Sequence, residues 1–127
     1  MTNSADDMRI IRFTIPEIPP SNNRYIGRNM RWAYREEKAR WEALILGLAK
    51  AKPRIPCRRA AVTLRYFFPD KRRRDPDNYS GKMILDGLVK AGILQDDSFD
   101  HIRLNLEKGG CDRQNPRTEI TIQEVHL

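Results

Sequence analysis

The chain has 127 residues, of which 39% are hydrophobic and 32% charged, and its net charge is +7. This length fits one domain, residues 1–127, with a core that needs no disulfide or metal to hold it; we expect Met1–Asp7 to be a frayed tail. The sequence has no long apolar run of the kind that predicts a membrane span or a secretory signal. Its positive charge favours an anionic partner, although a basic surface that is only solvated would give the same net charge.

Cysteine and histidine usage argues against a zinc site. Cys57 and Cys111 lack metal-type spacing, and neither His101 nor His126 completes a ligand set with them. A Ser–His or Cys–His catalytic arrangement also has no support in the sequence. Without a secretory signal we expect reduced thiols and a cytoplasmic location.

The first predicted elements are a strand, a loop and a helix. Apolar residues alternate at Ile11, Phe13 and Ile15, which predicts a half-buried strand. The Pro- and Asn-rich loop Pro19–Tyr25 follows, and it is either a surface connection or the wall of a substrate groove lined by Asn22, Asn23, Arg24 and Tyr25.

A helix is predicted over 31–51. Its apolar stripe repeats with helical spacing, and Pro53 ends it; the stripe consists of Trp41, Leu44, Ile45 and Leu48. Both tryptophans, Trp32 and Trp41, are expected in the core.

A second strand, Ala60–Phe68, precedes the second helix. Its buried face is predicted to carry Val62, Leu64, Tyr66 and Phe68, and most of the aromatic run Tyr66–Phe68 is assigned to the core rather than to a wedge for DNA. We expect Asp77 or Asn78 to be the N-cap of a helix that reaches Lys90 and ends at Gly92, with Asn78, Lys82 and Asp86 on one face.

Two further strands complete the fold. Apolar residues mark a third strand at Ile102, Leu104 and Leu106, and a fourth over Thr118–Val125. The order β-α-β-α-β-β predicts an α/β protein of the two-layer α+β type, with a mixed sheet of about four strands and the helices packed on one face.

The segment from Arg72 to Asp97 carries the chemistry. Three arginines, Arg72–Arg74, precede the carboxylates Asp75 and Asp77, and a second acidic pair, Asp96–Asp97, lies about twenty residues further on. Carboxylates suit a hard cation and arginines suit phosphate, so the pattern favours a magnesium-dependent nuclease. The bland alternative is a helix cap, a loop and a solvated basic run.

A metal site of this kind has a topological requirement. Asp75, Asp77 and Asp97 must lie within a few ångströms of one ion, so the chain must return after the second helix to the end of the second strand. We therefore predict that the third strand begins at the site and runs antiparallel to the second strand.

These residues resemble the RusA family of Holliday junction resolvases. The resemblance rests on the DPDN segment from Asp75 to Asn78, Lys82, Asp86–Leu88, Gly92 and Asp96–Asp97, and on the early Pro19–Tyr25 loop, and it covers about Ile11 to Val125. One departure is that Lys82 follows Asp77 by five residues, where the family commonly has four. An additional residue near Ser80–Gly81 accounts for the difference.

The resemblance implies a bacterial or phage-encoded homodimer that cuts four-way DNA junctions by paired symmetric nicks, with Mg²⁺, or Mn²⁺ in its place, as cofactor. It implies no membrane and no small-molecule cofactor. It assigns catalysis to Asp75, Asp77, Asp97 and Lys82 and metal binding to the three aspartates with Asp96. Predicted DNA contacts are Lys71, Arg72, Arg73, Arg74, Asn23, Arg24 and Asn78. A nuclease for other branched DNA and a non-catalytic, structure-selective DNA-binding module are the alternatives.

Overall fold

The computed structural model describes residues 9–49 and 53–125, and these form one mixed four-stranded sheet with two helices. The strand order is β1–β4–β2–β3. The bounds are β1 Ile10–Ile15, α1 Arg31–Leu48, β2 Ala60–Phe68, α2 Lys82–Lys90, β3 Ile102–Cys111 and β4 Arg117–Glu124. The predicted tail Met1–Asp7, the predicted helix end at Ala51 and His126 lie outside the described residues.

The alternation seen in the sequence divides the sheet into an apolar and a polar face. Along β2 every second side chain is buried, and Val62 and Leu64 are 0% exposed. Ile11 and Ile15 of β1 and Ile120 and Ile122 of β4 join the same core. The opposite face carries Arg65 and Phe67, so Tyr66 and Phe68 are core residues as predicted, whereas Phe67 is not.

Both helices cover the apolar face, which confirms the predicted two-layer architecture. Trp41 and Ile45 of α1 and Ile84 and Leu88 of α2 are fully buried. The prediction for Trp32 was wrong, because this side chain is 70% exposed at the start of α1. No helix in the described ranges is long and apolar enough to cross a membrane.

The predicted direction of β3 was also wrong. β2 and β3 pair in parallel, with Ala60 beside Ile102 and Leu64 beside Leu106. After Gly92 (φ 79°) the chain does not return to the end of β2, because Leu94 is buried and forms a parallel bridge with Cys57 ahead of β2. α2 is thus the crossover of a β-α-β unit.

The start of α2 differs from the prediction. Asp77 and Asn78 lie inside a separate 3₁₀ turn, Pro76–Tyr79, and Gly81 is the N-cap of α2. Only Lys82 and Asp86 therefore share a helix face, while Asn78 precedes the helix. Gly81 has φ 80°, in the left-handed region, and this bend turns the chain from the 3₁₀ turn into α2.

Candidate functional site

Residues 75–80, which we call the acidic turn, follow the C-terminal end of β2. The backbone N–H of Asn78 donates a hydrogen bond to the Asp75 carbonyl (3.0 Å), and the Tyr66 hydroxyl donates one to the Tyr79 carbonyl (2.8 Å). Burial raises the pKa of Tyr66, so the phenol stays protonated as a donor. The ring of Tyr79 packs edge-on against Phe68 (5.2 Å between centroids), which ties the turn to the core.

The two carboxylates of the acidic turn face solvent. The Asp75 side chain is 49% exposed and lies 3.1 Å from Nε of Arg73, and Asp77 is exposed. Exposed carboxylate oxygens beside arginine suit a hard cation and a phosphate respectively. Asp75 and Asp77 therefore lie on the surface at one end of the sheet, in a segment that also carries Arg73.

The Pro- and Asn-rich loop lies against the acidic turn. The Asn22 side chain donates hydrogen bonds to the Asp77 carbonyl (2.9 Å) and to Oγ of Ser80 (3.1 Å). An open cleft of about 600 Å³ adjoins this contact, and its walls include Asn22, Tyr25, Arg31, Tyr34 and Lys82. Asn23 and Arg24 are exposed in the same loop.

Lys82 stands at the first position of α2, beside the acidic turn. Its side chain is 66% exposed, and Nζ lies 3.6 Å from Oδ2 of Asp86. Lys38 of α1 lies 3.5 Å from the same carboxylate oxygen, so Asp86 forms ion pairs with two lysines. The sequence carried no local signal for Lys38, because its partner is more than forty residues away in the chain.

The arginine run divides into two exposed side chains and one that is packed inward. Arg72 and Arg73 are 78% and 89% exposed, whereas Arg74 is 11% exposed. The Arg74 guanidinium lies 4.4 Å from the centroid of the Phe68 ring and 2.9 Å from Oδ1 of Asp70. The structure thus gives Arg74 a role inside the loop, while Arg72, Arg73 and the exposed Lys71 remain open to a ligand.

The second acidic pair lies at the other end of the sheet. Asp96 and Asp97 follow the Cys57–Leu94 bridge, near the start of β2, while the acidic turn follows its end. From Ala60 to Tyr66 the strand rises about 20 Å, at ~3.3 Å per residue. The Asp96 carboxylate accepts a hydrogen bond from the Asp97 backbone N–H (2.8 Å) and lies 3.7 Å from Nδ1 of His101.

One copy of the chain therefore carries a divided set of acids. Among residues 9–49 and 53–125, no group of three or more His, Cys, Asp or Glu is placed to hold a metal ion. Asp75 and Asp77 are of the right chemical kind for Mg²⁺, but the predicted third ligand, Asp97, is not beside them. The parallel pairing of β2 and β3 causes this separation.

Sequence comparisons agree with the resemblance on which the site was predicted. The family model described as "Endodeoxyribonuclease RusA" matches residues 16–123. The chain is 36% identical to the crossover junction endodeoxyribonuclease RusA of Enterobacteria phage 82 and to that of Escherichia coli (strain K12), and 35% identical to that of Shigella sonnei (strain Ss046). Each match covers 93% of this chain and 98% of the relative. The chain, with its Asp75–Asp77 turn and Lys82, belongs to the RusA family of endodeoxyribonucleases.

Proposed function

We propose that this protein is a Mg²⁺-dependent endonuclease that resolves four-way DNA junctions by paired nicks. The observation that carries the proposal is the exposed group formed by Asp75, Asp77 and Lys82, next to Arg72 and Arg73, at one end of the sheet. The relatives that match almost the whole chain are named crossover junction endodeoxyribonucleases, which supports a branched DNA substrate.

Each side chain of the group has a distinct role in this proposal. Asp75 and Asp77 hold the divalent cation, which when bound activates water and stabilises charge on the scissile phosphate. Mn²⁺, with similar oxygen preference, is expected to substitute. Lys82 neutralises charge on the phosphate that is cut, and the exposed Arg72 and Arg73 hold flanking phosphates without reading sequence.

The third carboxylate, Asp97, comes from a second copy of the chain in this proposal. Its separation from the acidic turn, about 20 Å of strand, prevents both acids of one copy from reaching one ion. In a two-fold dimer, each copy lends Asp97 to the other and both sites are completed together. A four-way junction has equivalent strands in two-fold positions, so two such sites suit paired cutting.

The substrate class is tested with an end-labelled four-way junction and a linear duplex of matching sequence, each with Mg²⁺ or EDTA. We expect symmetric nicks in the junction alone and only with Mg²⁺. Cutting of the duplex as well would leave a metal nuclease but refute junction selectivity. Tight junction binding without cutting, in Mn²⁺ too, would favour the binding-module alternative.

The shared site is tested by mixing two inactive variants. Asp75→Asn and Asp97→Asn should each abolish cutting while junction binding survives or tightens, because negative charge facing phosphate is removed. In a mixed dimer one site carries both substitutions and the other carries neither, so the mixture should nick one strand per junction. If each site belonged to one chain, every site would carry a substitution and mixing would restore nothing.

A further inference from the structure

Phe99 is an apolar side chain that faces solvent in the single chain. It is 104% exposed, on the turn between the acidic pair Asp96–Asp97 and the start of β3. A fully exposed phenylalanine ring forgoes the favourable free energy that its burial would supply. A residue of this kind beside a predicted catalytic acid calls for a specific contact.

An apolar cavity of matching character lies at the opposite end of β3. It has a volume of about 80 Å³, and Tyr66, Phe68, Pro76, Tyr79 and Leu106 contribute to its walls. Asp75 and Arg74 line it too, so the cavity adjoins the acidic turn. Phe99 of the same copy is at the other end of the strand and cannot fill it.

β3 lies at an edge of the sheet, and among residues 9–49 and 53–125 no strand pairs with its outer edge. Ile102, Leu104 and Leu106 face the core side but are only half-buried. A ten-residue open edge with half-covered apolar side chains is a template for pairing with another strand.

We infer that two copies of the chain pair through the edges of β3 in antiparallel fashion, and that Phe99 of each copy fills the aromatic cavity of the other. Antiparallel pairing about a two-fold axis sets the start of one β3 beside the end of the other. It therefore brings each Phe99 to the cavity beside the second copy's acidic turn. The two-fold axis repeats this contact, so both exposed Phe99 rings and both cavities are filled in the same dimer.

The charges and apolar residues of β3 select a register. With Asn105 opposite its own counterpart, Arg103 faces Glu107 of the second copy and Leu104 faces Leu106, each pair occurring twice. Arg103 and Glu107 lie on the open face of the sheet, and the two leucines lie on the core face. Opposite charges and paired apolar side chains directly across a ladder each stabilise it.

The reach along the strand agrees with this register. Ile102 lies opposite Lys108 of the second copy, and Phe99 is three residues ahead of Ile102. At ~3.3 Å per residue, the turn extends at most ~10 Å further along the partner strand. The cavity wall includes Leu106–Lys108, so the phenyl ring is within range.

This interface rests on the proposed function, because it explains how Asp97 of one copy reaches the acidic turn of the other. Asp97 precedes Phe99 by two residues, and Asp75 lines the cavity that Phe99 enters. The contact that places the Phe99 ring in the cavity therefore also brings the Asp97 carboxylate to the acidic turn of the other copy.

Sedimentation velocity without DNA or metal tests the interface independently of cutting. We expect a wild-type dimer and, for Phe99→Ala, a dissociation constant raised at least ~100-fold, since two buried aromatic anchors are lost. Leu46→Ala is the matched control: Leu46 is 61% exposed on α1 and should leave the dimer unchanged. Circular dichroism should show Phe99→Ala folded, because the side chain is fully exposed in its own chain.

Charge reversal and crosslinking test the register. Arg103→Glu and Glu107→Arg should each weaken the dimer, and the double variant should restore it. In a Cys111→Ser background, Asn105→Cys should form a disulfide between copies under mild oxidation, whereas Gln123→Cys on β4 should not. Failure of both the rescue and the crosslink would overturn the register.

The outcomes separate the interface from the proposed function. A monomeric wild type, or a Phe99→Ala dimer of wild-type affinity, would overturn the interface even if the protein cuts junctions. A dimer that responds to Phe99 and crosslinks at Asn105→Cys would support the interface even if no junction were cut, in which case only the proposed function fails.

Discussion

Substituting Gly81 by alanine should destabilise the protein at the point where the acidic turn meets α2. Gly81 has φ 80° and ψ 21°, and a residue with a side chain there costs about 1–2 kcal/mol. Its β-carbon would also lie 2.2 Å from Cδ1 of Leu64, which is fully buried. Repacking around such an overlap costs about 1–3 kcal/mol. We expect Gly81→Ala to lower the free energy of unfolding by about 2–5 kcal/mol.

Two other glycines provide matched controls in urea denaturation followed by circular dichroism. Gly87 lies within α2, where an added β-carbon would be 2.5 Å from Cδ1 of Ile45. Because the better helix propensity of alanine partly offsets this overlap, Gly87→Ala should lower the free energy of unfolding by about 1 kcal/mol. Gly47 in α1 has open space around it, so Gly47→Ala should stabilise by about 0.5–1 kcal/mol.

The comparison isolates the backbone conformation of Gly81. A Gly81→Ala variant no less stable than Gly87→Ala would refute the argument from the left-handed conformation. Because Gly81 also sets the position of Lys82, junction cutting by Gly81→Ala should fall further than junction binding, measured at a temperature where the variant is folded.

Three further predictions concern the loop and turn around the site. Arg73→Ala should lower the slope of log affinity for DNA against log salt by about 0.9, whereas Arg74→Ala should leave the slope unchanged and lower the urea midpoint; equal slopes for both variants would contradict the division between them. Tyr66→Phe should cost about 1 kcal/mol in urea denaturation, because the turn loses the hydrogen bond from the Tyr66 hydroxyl to the Tyr79 carbonyl; an unchanged midpoint would show that this bond does not stabilise the fold. The pKa of Asp70 is lowered, chiefly by the hydrogen bond from the Arg72 backbone N–H and then by the hydrogen bond from the Arg74 side chain. The stabilising effect of the Asp70 carboxylate is therefore present above the ordinary carboxyl pKa, and it is lost as the pH falls through the lowered pKa. Melting temperatures measured between about pH 7 and pH 3 should therefore fall less steeply for Asp70→Asn than for wild type, and parallel curves would show that these contacts of Asp70 do not stabilise the fold.

Local patterns predicted most of the elements, because their causes are local. The period-two alternation of β2 marked its buried face and its bounds, Ala60–Phe68, and Pro69 ends it as proline must. The end of α2 at Lys90 and the left-handed Gly92 also followed from sequence. The structure also confirmed the predicted two-layer fold with four strands.

What the sequence could not reveal depends on contacts between distant segments. The direction of β3 is decided by the Cys57–Leu94 bridge and by the burial of Ile93 and Leu94, neither of which has a local signature. Trp32 is a different case, because its exposure has a local cause: it lies nine residues before the buried Trp41, about two and a half turns at 3.6 residues per turn, and therefore on the opposite face of α1. The inward position of Arg74 depends on its contact with the Phe68 ring. The sequence assigned Phe68 to the core but did not reveal this contact.

The division of the acids between two ends of one strand also bears on how cutting would be controlled. In the proposed dimer a free monomer has Asp75 and Asp77 but lacks the third carboxylate, so it is a poor metal site and a poor nuclease. Assembly completes both sites at once, since the two contacts of a two-fold interface are identical. Paired nicking then follows from symmetry alone, because a junction bound across the two-fold axis meets either two complete sites or none.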